Sequence, residues 1–264
     1  MNRFKQSSQW LTVAASVCGT SHLKTQQPCQ DAHRWRILPD NVLVVAVADG
    51  AGSASLGKLG AAIATETVIE HISIQEITSD TLADDDLLSN LLADALLAAR
   101  KAVENEAVKC SSQFHDLATT LIIAIATPKV AAVAQIGDGL AVGKNSAGEL
   151  LALTLPNSGE YINETTFLTS LDAIDTAQIK LWRENIVNIG VLTDGLQMLA
   201  LNMVIGEPHK PFFLPLFDFA TNSQDPTTAK EQLVNFLSSD RITQRTDDDL
   251  TLVLAAFKSN GHSN

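Results

Sequence analysis

The sequence predicts an α+β fold, because strand-like and helix-like segments occur in blocks rather than in strict alternation. Two short β-branched runs open the chain, two helical segments follow, and a block of strand-like runs occupies its middle. Further helical segments then precede a last strand-like run, Leu250 to Phe257. This order argues against a doubly wound parallel sheet, in which helices and strands alternate.

The individual elements follow from hydrophobic period and turn residues. Turns such as Pro128-Lys129 and the segment from Asn145 to Gly148 separate the middle strands and favour antiparallel pairing. The predicted strands are Leu11–Val17, Val42–Ala48, Leu117–Ala126, Val130–Ile136, Leu140–Gly143, Leu150–Thr154, Ile186–Leu192 and Leu250–Phe257. The predicted helices are Ser53–Ile72, Leu82–Val108, Leu196–Ile205 and Thr227–Leu237. The Pro- and Phe-rich segment PHKPFFLPLF is predicted as a connection, and 155–170 as an irregular polar segment.

Length and charge limit the possible functions. The chain has 264 residues, 45% of them apolar, which is enough for a buried core in one large domain. We predict a single domain over 1–264 with its core at about 11–257, because no repeat or linker divides the sequence. With 18 basic and 30 acidic residues the net charge is −12. Such a surface repels nucleic acid and anionic membrane, so neither is an expected partner.

Cysteine usage and the apolar segments bear on location. The three cysteines are odd in number and form no CxxC pair, so a disulfide framework is not expected. No apolar signal segment is visible at the start, and the apolar runs are too short to cross a bilayer. A cytoplasmic location is therefore expected.

Aspartates recur at the edges of the predicted strands. Asp49, Asp138 and Asp194 follow a strand and precede a glycine. Asp31 lies in the turn after the first strand, and Asp248 and Asp249 precede the last strand. Each alone is an ordinary turn or solvated loop residue. Together, at the edges of one sheet, they would repel one another unless protons or cations compensate. All-oxygen ligation favours magnesium or manganese.

These segments resemble the metal-dependent, type 2C serine/threonine protein phosphatases. The matching segments, in order, are CQDA at 29–32, VADGAGSA at 47–54, ATT at 118–120, IGDG at 136–139, LTDGL at 192–196 and DDLTLVLA at 248–255. The stretches GTSH, PCQDA and GEYINETTFLTS are similar to a bacterial branch of that family. The resemblance spans roughly Leu11 to Phe257, and the order and spacing of the segments make it specific.

The resemblance implies a four-layer α/β/β/α sandwich with two antiparallel sheets between helices. It implies a protein phosphatase that hydrolyses phosphoserine and phosphothreonine with a metal-activated water. It also implies two, possibly three, Mn²⁺ or Mg²⁺ ions, a phosphorylated protein substrate and a cognate Ser/Thr kinase. By that resemblance Asp49 would bridge two metals, and the Gly50 carbonyl would ligate one of them. Asp194 and Asp248 would complete the ligands of this pair, and Asp31 would hold a water bound to the metals. Asp138 would join Asp194 in a third metal site.

The sequence departs from the family pattern at three positions. A histidine that follows Asp-Gly in many relatives is Ala51 here, and an arginine that grips phosphate is Gln26. The glutamate that commonly precedes the aspartate at position 31 is Gln30. We expect His22 as a catalytic group, or Lys24 as a substrate-binding one, to replace the missing positive charge. An ordinary loop histidine is the alternative for His22.

Two further alternatives stay open at this point. The first concerns a flap that family members carry beside the site, which matches Tyr161, Asn163, Glu164 and Thr165. In that case Glu164 is expected to contact substrate. The alternative is an ordinary polar loop. The lost arginine and histidine favour a second function, a catalytically weak or silent module that binds a phosphoprotein or regulatory partner. The retained aspartates favour the enzyme, because an idle site has no need of a repulsive cluster.

Overall fold

Two antiparallel sheets form the centre of the protein. The computed structural model describes residues 9–156, 165–202 and 204–259. One sheet has the strand order β1-β12-β9-β6-β7 and the other the order β2-β3-β4-β5-β8. The strands are β1 Gln9–Val17, β2 Ala32–Leu38, β3 Val42–Ala48, β4 Leu121–Ala126, β5 Ala131–Ile136, β6 Leu140–Asn145, β7 Leu150–Thr154, β8 Gln178–Trp182, β9 Ile186–Leu192, β10 Leu201–Asn202, β11 Glu207–Pro208 and β12 Leu250–Lys258, of which β10 and β11 form a separate hairpin.

Helices cover the outer face of each sheet. They are α1 Thr20–Thr25, α2 Gly57–Ser73, α3 Ser79–Ala83, α4 Asp85–Lys109, α5 Gln197–Ala200, α6 Lys210–Asn222, α7 Pro226–Leu237 and α8 Asp240–Thr243. Helices α2 and α4 pack on the second sheet, and α6 and α7 pack on the first. A third apolar cluster fills the space between the sheets, where Val45 and Val47 meet Val191 and Val253. The result is the four-layer α/β/β/α order, so the predicted fold class is confirmed.

The strand residues explain this layering. Central strands β3, β4 and β5 are buried along their whole length, because one face meets helices and the other meets the opposite sheet. Such strands are continuous apolar runs rather than alternating ones, as VLVVAVA and LIIAIA are. None of the helices in the described ranges is long and apolar enough to span a membrane.

Most predicted elements occur, and the helical prediction around residue 200 is wrong. The segment Leu196–Ile205 contains only α5, of four residues, followed by the β10–β11 hairpin. The Pro- and Phe-rich segment is helix α6, not a connection, with Pro215 inside it. Its apolar residues recur at helical spacing and are buried against the first sheet, which stabilises a helix despite the proline.

Candidate functional site

The strand-edge aspartates converge at one end of the sandwich. Asp49 follows β3, Asp138 lies between β5 and β6, and Asp194 follows β9, while Asp248 precedes β12. The antiparallel registers explain this, because Leu140, Leu192 and Leu252 are aligned across neighbouring strands. An end of one strand is therefore next to the start of its neighbour. Residues far apart in sequence meet at this edge.

The four aspartates line one cavity of about 230 Å³. Gly50, His22 and Thr165 also line it. Thr165 Oγ1 donates a hydrogen bond to Asp138 Oδ2 over 2.6 Å. The backbone N–H of Asp49 donates to Thr120 Oγ1 at 3.0 Å, which fixes the end of β3 against the ATT segment.

Asp31 lies beneath this cavity, buried at the start of β2. Its Oδ2 accepts a hydrogen bond from Thr193 Oγ1 at 2.8 Å, and Thr193 Oγ1 in turn accepts one from the backbone N–H of Thr251. Among the described residues, no donor reaches the buried Asp31 Oδ1. A buried carboxylate oxygen without a partner is costly, so this atom favours a water or cation beside it.

The electrostatics of the metal-free cluster are unfavourable. Burial, together with the charges of Asp31 and Asp194, raises the pKa of Asp49 to about 11. Burial also raises the pKa of Asp31 and of Asp194 to about 7, with Asp138 adding to the shift of Asp194. Burial likewise raises the pKa of Asp248. Carboxylates that resist ionisation together are stabilised by a cation, and this all-oxygen set suits a hard divalent ion.

Comparison with known proteins decides the family. The family model of protein phosphatase 2C matches residues 18–238. "Serine/threonine-protein phosphatase 3" of Escherichia coli (strain K12) is 38% identical over 254 residues, covering 94% of this chain and 98% of that protein. The chain belongs to the protein phosphatase 2C family. The family predicted from the sequence, and with it the prediction of a phosphatase, is confirmed.

Solved structures of the protein phosphatase 2C type share the fold. Stp1 from Staphylococcus aureus matches with a TM-score of 0.67 at 13% identity, covering 98% of this chain and 99% of that one. The catalytic domain of the phosphatase PstP, solved with two manganese ions, matches with a TM-score of 0.62 at 17% identity, covering 94% and 98%. RsbX, solved with magnesium, matches with a TM-score of 0.56 at 16% identity, covering 94% and 96%.

His22 is held at the cavity by a carboxylate that sequence reasoning did not assign. Its Nδ1 lies 2.9 Å from Asp249 Oδ2, and its side chain is 14% exposed. Asp249 Oδ2 also accepts the backbone N–H of Gln30 at 2.6 Å, and Oδ1 accepts that of Gly19 at 2.7 Å. Asp249 therefore joins the chain before β12 to both ends of the segment carrying α1.

Gly19 is required for this arrangement. An added Cβ would lie 2.3 Å from the backbone carbon of Asp248, so only glycine allows the two segments to approach this closely. The ligand atoms of Cys18, His22 and Asp249 also lie within 4.8 Å of one another. Because three N–H groups already occupy the Asp249 oxygens, this cluster is a hydrogen-bonded one rather than a second metal site.

Of the two predicted substrate-binding residues, only Lys24 lies in the described part of the chain. Lys24 is exposed on α1 and does not line the cavity. Glu164 lies outside the described residues, as do Tyr161 and Asn163. Their substrate contacts stay predictions.

A cation that the sequence analysis missed lies near the site. Burial and the Asp249 carboxylate raise the pKa of the Cys18 thiol, and the charge of Lys58 opposes that shift. Lys58 is in the first turn of α2, whose N-terminus abuts Gly50. The signal in sequence was weak, because a lysine at the start of a helix is common.

Proposed function

We propose that this chain hydrolyses phosphoserine and phosphothreonine in proteins, with Mn²⁺ or Mg²⁺ held in the aspartate-lined cavity. The observation that carries the proposal is the convergence of Asp49, Asp138, Asp194 and Asp248 on one small cavity. Divalent cations in such a site supply an activated water and offset charge on the phosphoryl oxygens. The E. coli relative is called a serine/threonine-protein phosphatase, and family membership supports the same reaction here.

We assign the metal-holding role to these carboxylates and to the Gly50 carbonyl. Asp49 and Asp194 are partly buried in the cavity wall, and burial together with neighbouring carboxylates raises the pKa of each. Asp248 lines the same cavity, and Asp138 sits at its side with Thr165. Asp31, with its unpartnered Oδ1, orients a water for attack on phosphorus.

His22 donates a proton to the departing serine or threonine oxygen. Its Nδ1 faces Asp249 Oδ2, which leaves Nε2 as the nitrogen available to the cavity. A carboxylate on one ring nitrogen orients the imidazole ring, so that its other nitrogen faces the departing oxygen, as a general acid requires. In this way His22 compensates for the alanine at position 51.

Recognition of the phosphate and the protein partner extends this proposal. Lys58 is placed to attract the substrate dianion, and Lys24 and Glu164 are further candidates for contacts with the phosphoprotein. We also propose a cognate Ser/Thr kinase, because a phosphoprotein substrate must be made by one, and a cytoplasmic location. We expect the whole of 1–264 to act as one domain, with no nucleic acid or membrane partner.

The alternative of a catalytically silent binding module is not favoured. The aspartate set and the buried Asp31 are retained together, and a phosphatase of the same family is similar over nearly the whole chain. A silent module would gain nothing from carboxylates whose mutual repulsion raises their pKa values.

One assay tests the proposed function. Purified protein is given a phosphothreonine peptide with Mn²⁺, with Mg²⁺ or with chelator, and phosphate release is measured beside metal binding by calorimetry. We expect metal-dependent release that Asp49→Asn and Asp194→Asn abolish. Asp94→Asn, at an exposed position on α4, is the matched control and should retain full activity. Metal binding without turnover in the native sequence would refute the proposal.

A further inference from the structure

A large apolar groove lies on the helical layer outside the first sheet. It has a volume of about 860 Å³ and is formed by α5, α6, α7 and the segment from Arg241 to Arg245. Its apolar lining includes the side chains of Phe212, Leu216, Phe219, Leu233, Phe236 and Ile242. A concave, mostly apolar site of this size can enclose several side chains of a ligand.

The charge of the groove is opposite to that of the protein. Arg241, Arg245 and His209 line it, no acidic side chain does, and yet the chain carries a net charge of −12. Both arginines are exposed, and no carboxylate of 9–156, 165–202 or 204–259 forms an ion pair with either. Two unpaired arginines beside an apolar surface favour an acidic ligand.

The groove is joined to the catalytic cavity by two short pieces of chain. Met198, at one side of the groove, is four residues after Asp194, and Arg245 is three residues before Asp248. At no more than about 3.6 Å per residue, Arg245 lies within about 11 Å of Asp248 along the backbone. About three to four residues of extended peptide therefore span the distance between Arg245 at the groove and Asp248 at the cavity.

We propose that this groove docks an acidic segment with apolar anchors that lies in the phosphoprotein substrate, on the same chain as the phosphorylated residue. The inference rests on the proposed function, because it assigns the substrate class of that site. The apolar anchors fill the aromatic lining, and acidic side chains meet Arg241 and Arg245. Docking there brings the phosphoresidue to the aspartate cavity as a second, intramolecular binding event.

The groove is tested first by binding, without hydrolysis. The probe is a fluorescein-labelled peptide, Glu-Phe-Asp-Leu-Glu-Leu, which carries no phosphate, and polarisation is measured in chelator. The double variant Arg241→Glu/Arg245→Glu should weaken binding about tenfold or more, since charge reversal replaces two attractions with two repulsions. Gln232→Glu, from α7 on the facing side of the groove, should weaken it less. The matched control Arg34→Glu/Arg36→Glu makes the same charge change on exposed β2.

The second measurement is hydrolysis with Mn²⁺. A phosphothreonine peptide with the same segment six residues away should have a KM about tenfold higher with the groove variant, while kcat and the hydrolysis of an aryl phosphate stay unchanged. A peptide with lysine in place of the acidic residues should bind the native protein weakly and the groove variant better, because both partners then have reversed charge. If no phosphopeptide is hydrolysed by the native sequence, the proposed function fails, and the polarisation result still decides the docking inference.

Three results would overturn the docking inference. The first is equal peptide binding by the groove variant and the control variant. The second is a loss of aryl phosphate hydrolysis in the groove variant as large as its loss of phosphopeptide hydrolysis, which would put the arginines in the catalytic cavity. The third is a dimer in sedimentation velocity that only the groove variant dissociates, which would make a second copy of the chain the occupant.

Discussion

Replacing Asp249 with asparagine should destabilise the metal-free protein by about 2–3 kcal/mol, a value worked from its hydrogen bonds. Asp249 Oδ1 accepts the N–H of Gly19 at 2.7 Å, and Oδ2 accepts the N–H of Gln30 at 2.6 Å and faces His22 Nδ1 at 2.9 Å. Asparagine keeps the shape but replaces one acceptor oxygen with an NH₂ donor. The remaining oxygen serves two donors best, so the Gly19 N–H loses its acceptor.

Three terms set the magnitude. A buried donor left unsatisfied costs about 1–3 kcal/mol. The two surviving hydrogen bonds lose their charge assistance, which roughly halves their strength and costs about 1 kcal/mol more. Removing a negative charge that repels Asp31 and Asp248 offsets part of this loss. The hydrogen-bond losses exceed the relieved repulsion, because they act at contact distance on Asp249, a residue that is only 2% exposed.

The assay is urea unfolding followed by circular dichroism in chelator, so that metal affinity does not enter. Asp247→Asn is the matched control: its side chain is exposed and only its backbone carbonyl is engaged, by Ser21. We expect that control to stay within about 0.5 kcal/mol of the native sequence. A loss below about 0.5 kcal/mol in Asp249→Asn would refute the reasoning.

Three other predictions follow from the same geometry. In chelator the urea midpoint of the protein should be higher near pH 5 than near pH 8. The pKa of Asp31 and of Asp194 is raised to about 7 in the folded state, whereas these carboxyls lose their protons above a pH of about 4 in the unfolded chain. The folded state therefore binds more protons between these values, and its stability falls as the pH rises. A higher midpoint near pH 8 would contradict this. His22→Ala should lower kcat about 100-fold or more for a phosphoserine peptide but little for an aryl phosphate, whose leaving group needs no proton; equal losses would remove His22 from proton transfer. Gly60→Ala, in α2, should destabilise the protein by about 1–3 kcal/mol in thermal unfolding despite the helix propensity of alanine, because the new Cβ would lie 2.1 Å from the Leu117 carbonyl oxygen. A stabilised variant would show that α2 and the chain at Leu117 can separate freely.

The fold was predictable where hydrophobic period and burial agree. Strands β3 and β9 are buried apolar runs that end at Asp-Gly turns, and their bounds were predicted correctly. Strands β2 and β8 were missed, because they are the edge strands of their sheet and carry exposed polar residues such as Arg34 and Lys180. Helix α6 was missed because proline was weighed above the apolar spacing that buries Phe213 and Phe217.

The site was predictable as a set of residues and not as an arrangement. Repetition of the strand–Asp–Gly pattern identified Asp49, Asp138 and Asp194, since strand ends of one sandwich meet at a shared edge. The resemblance assigned Asp248 to the metals, and Asp248 lines the cavity, but it gave no role to Asp249, whose hydrogen bonds only the structure shows. Whether Lys24 approaches a substrate depends on α1, whose position is set by the contacts of Asp249.

Hydrogen bonding separates the aspartates that need a cation from the one that does not. Asp249 is as buried as a core residue, yet three N–H groups satisfy its charge from within the fold. Asp31 has a buried oxygen without a donor, and burial and neighbouring carboxylates raise the pKa of Asp49. The chain therefore satisfies the carboxylate that positions His22 and leaves the cavity carboxylates to an ion. A site built in this way holds His22, the proposed proton donor, in place whether or not metal is bound. Metal affinity and the position of His22 should therefore vary independently between Asp49→Asn and Asp249→Asn.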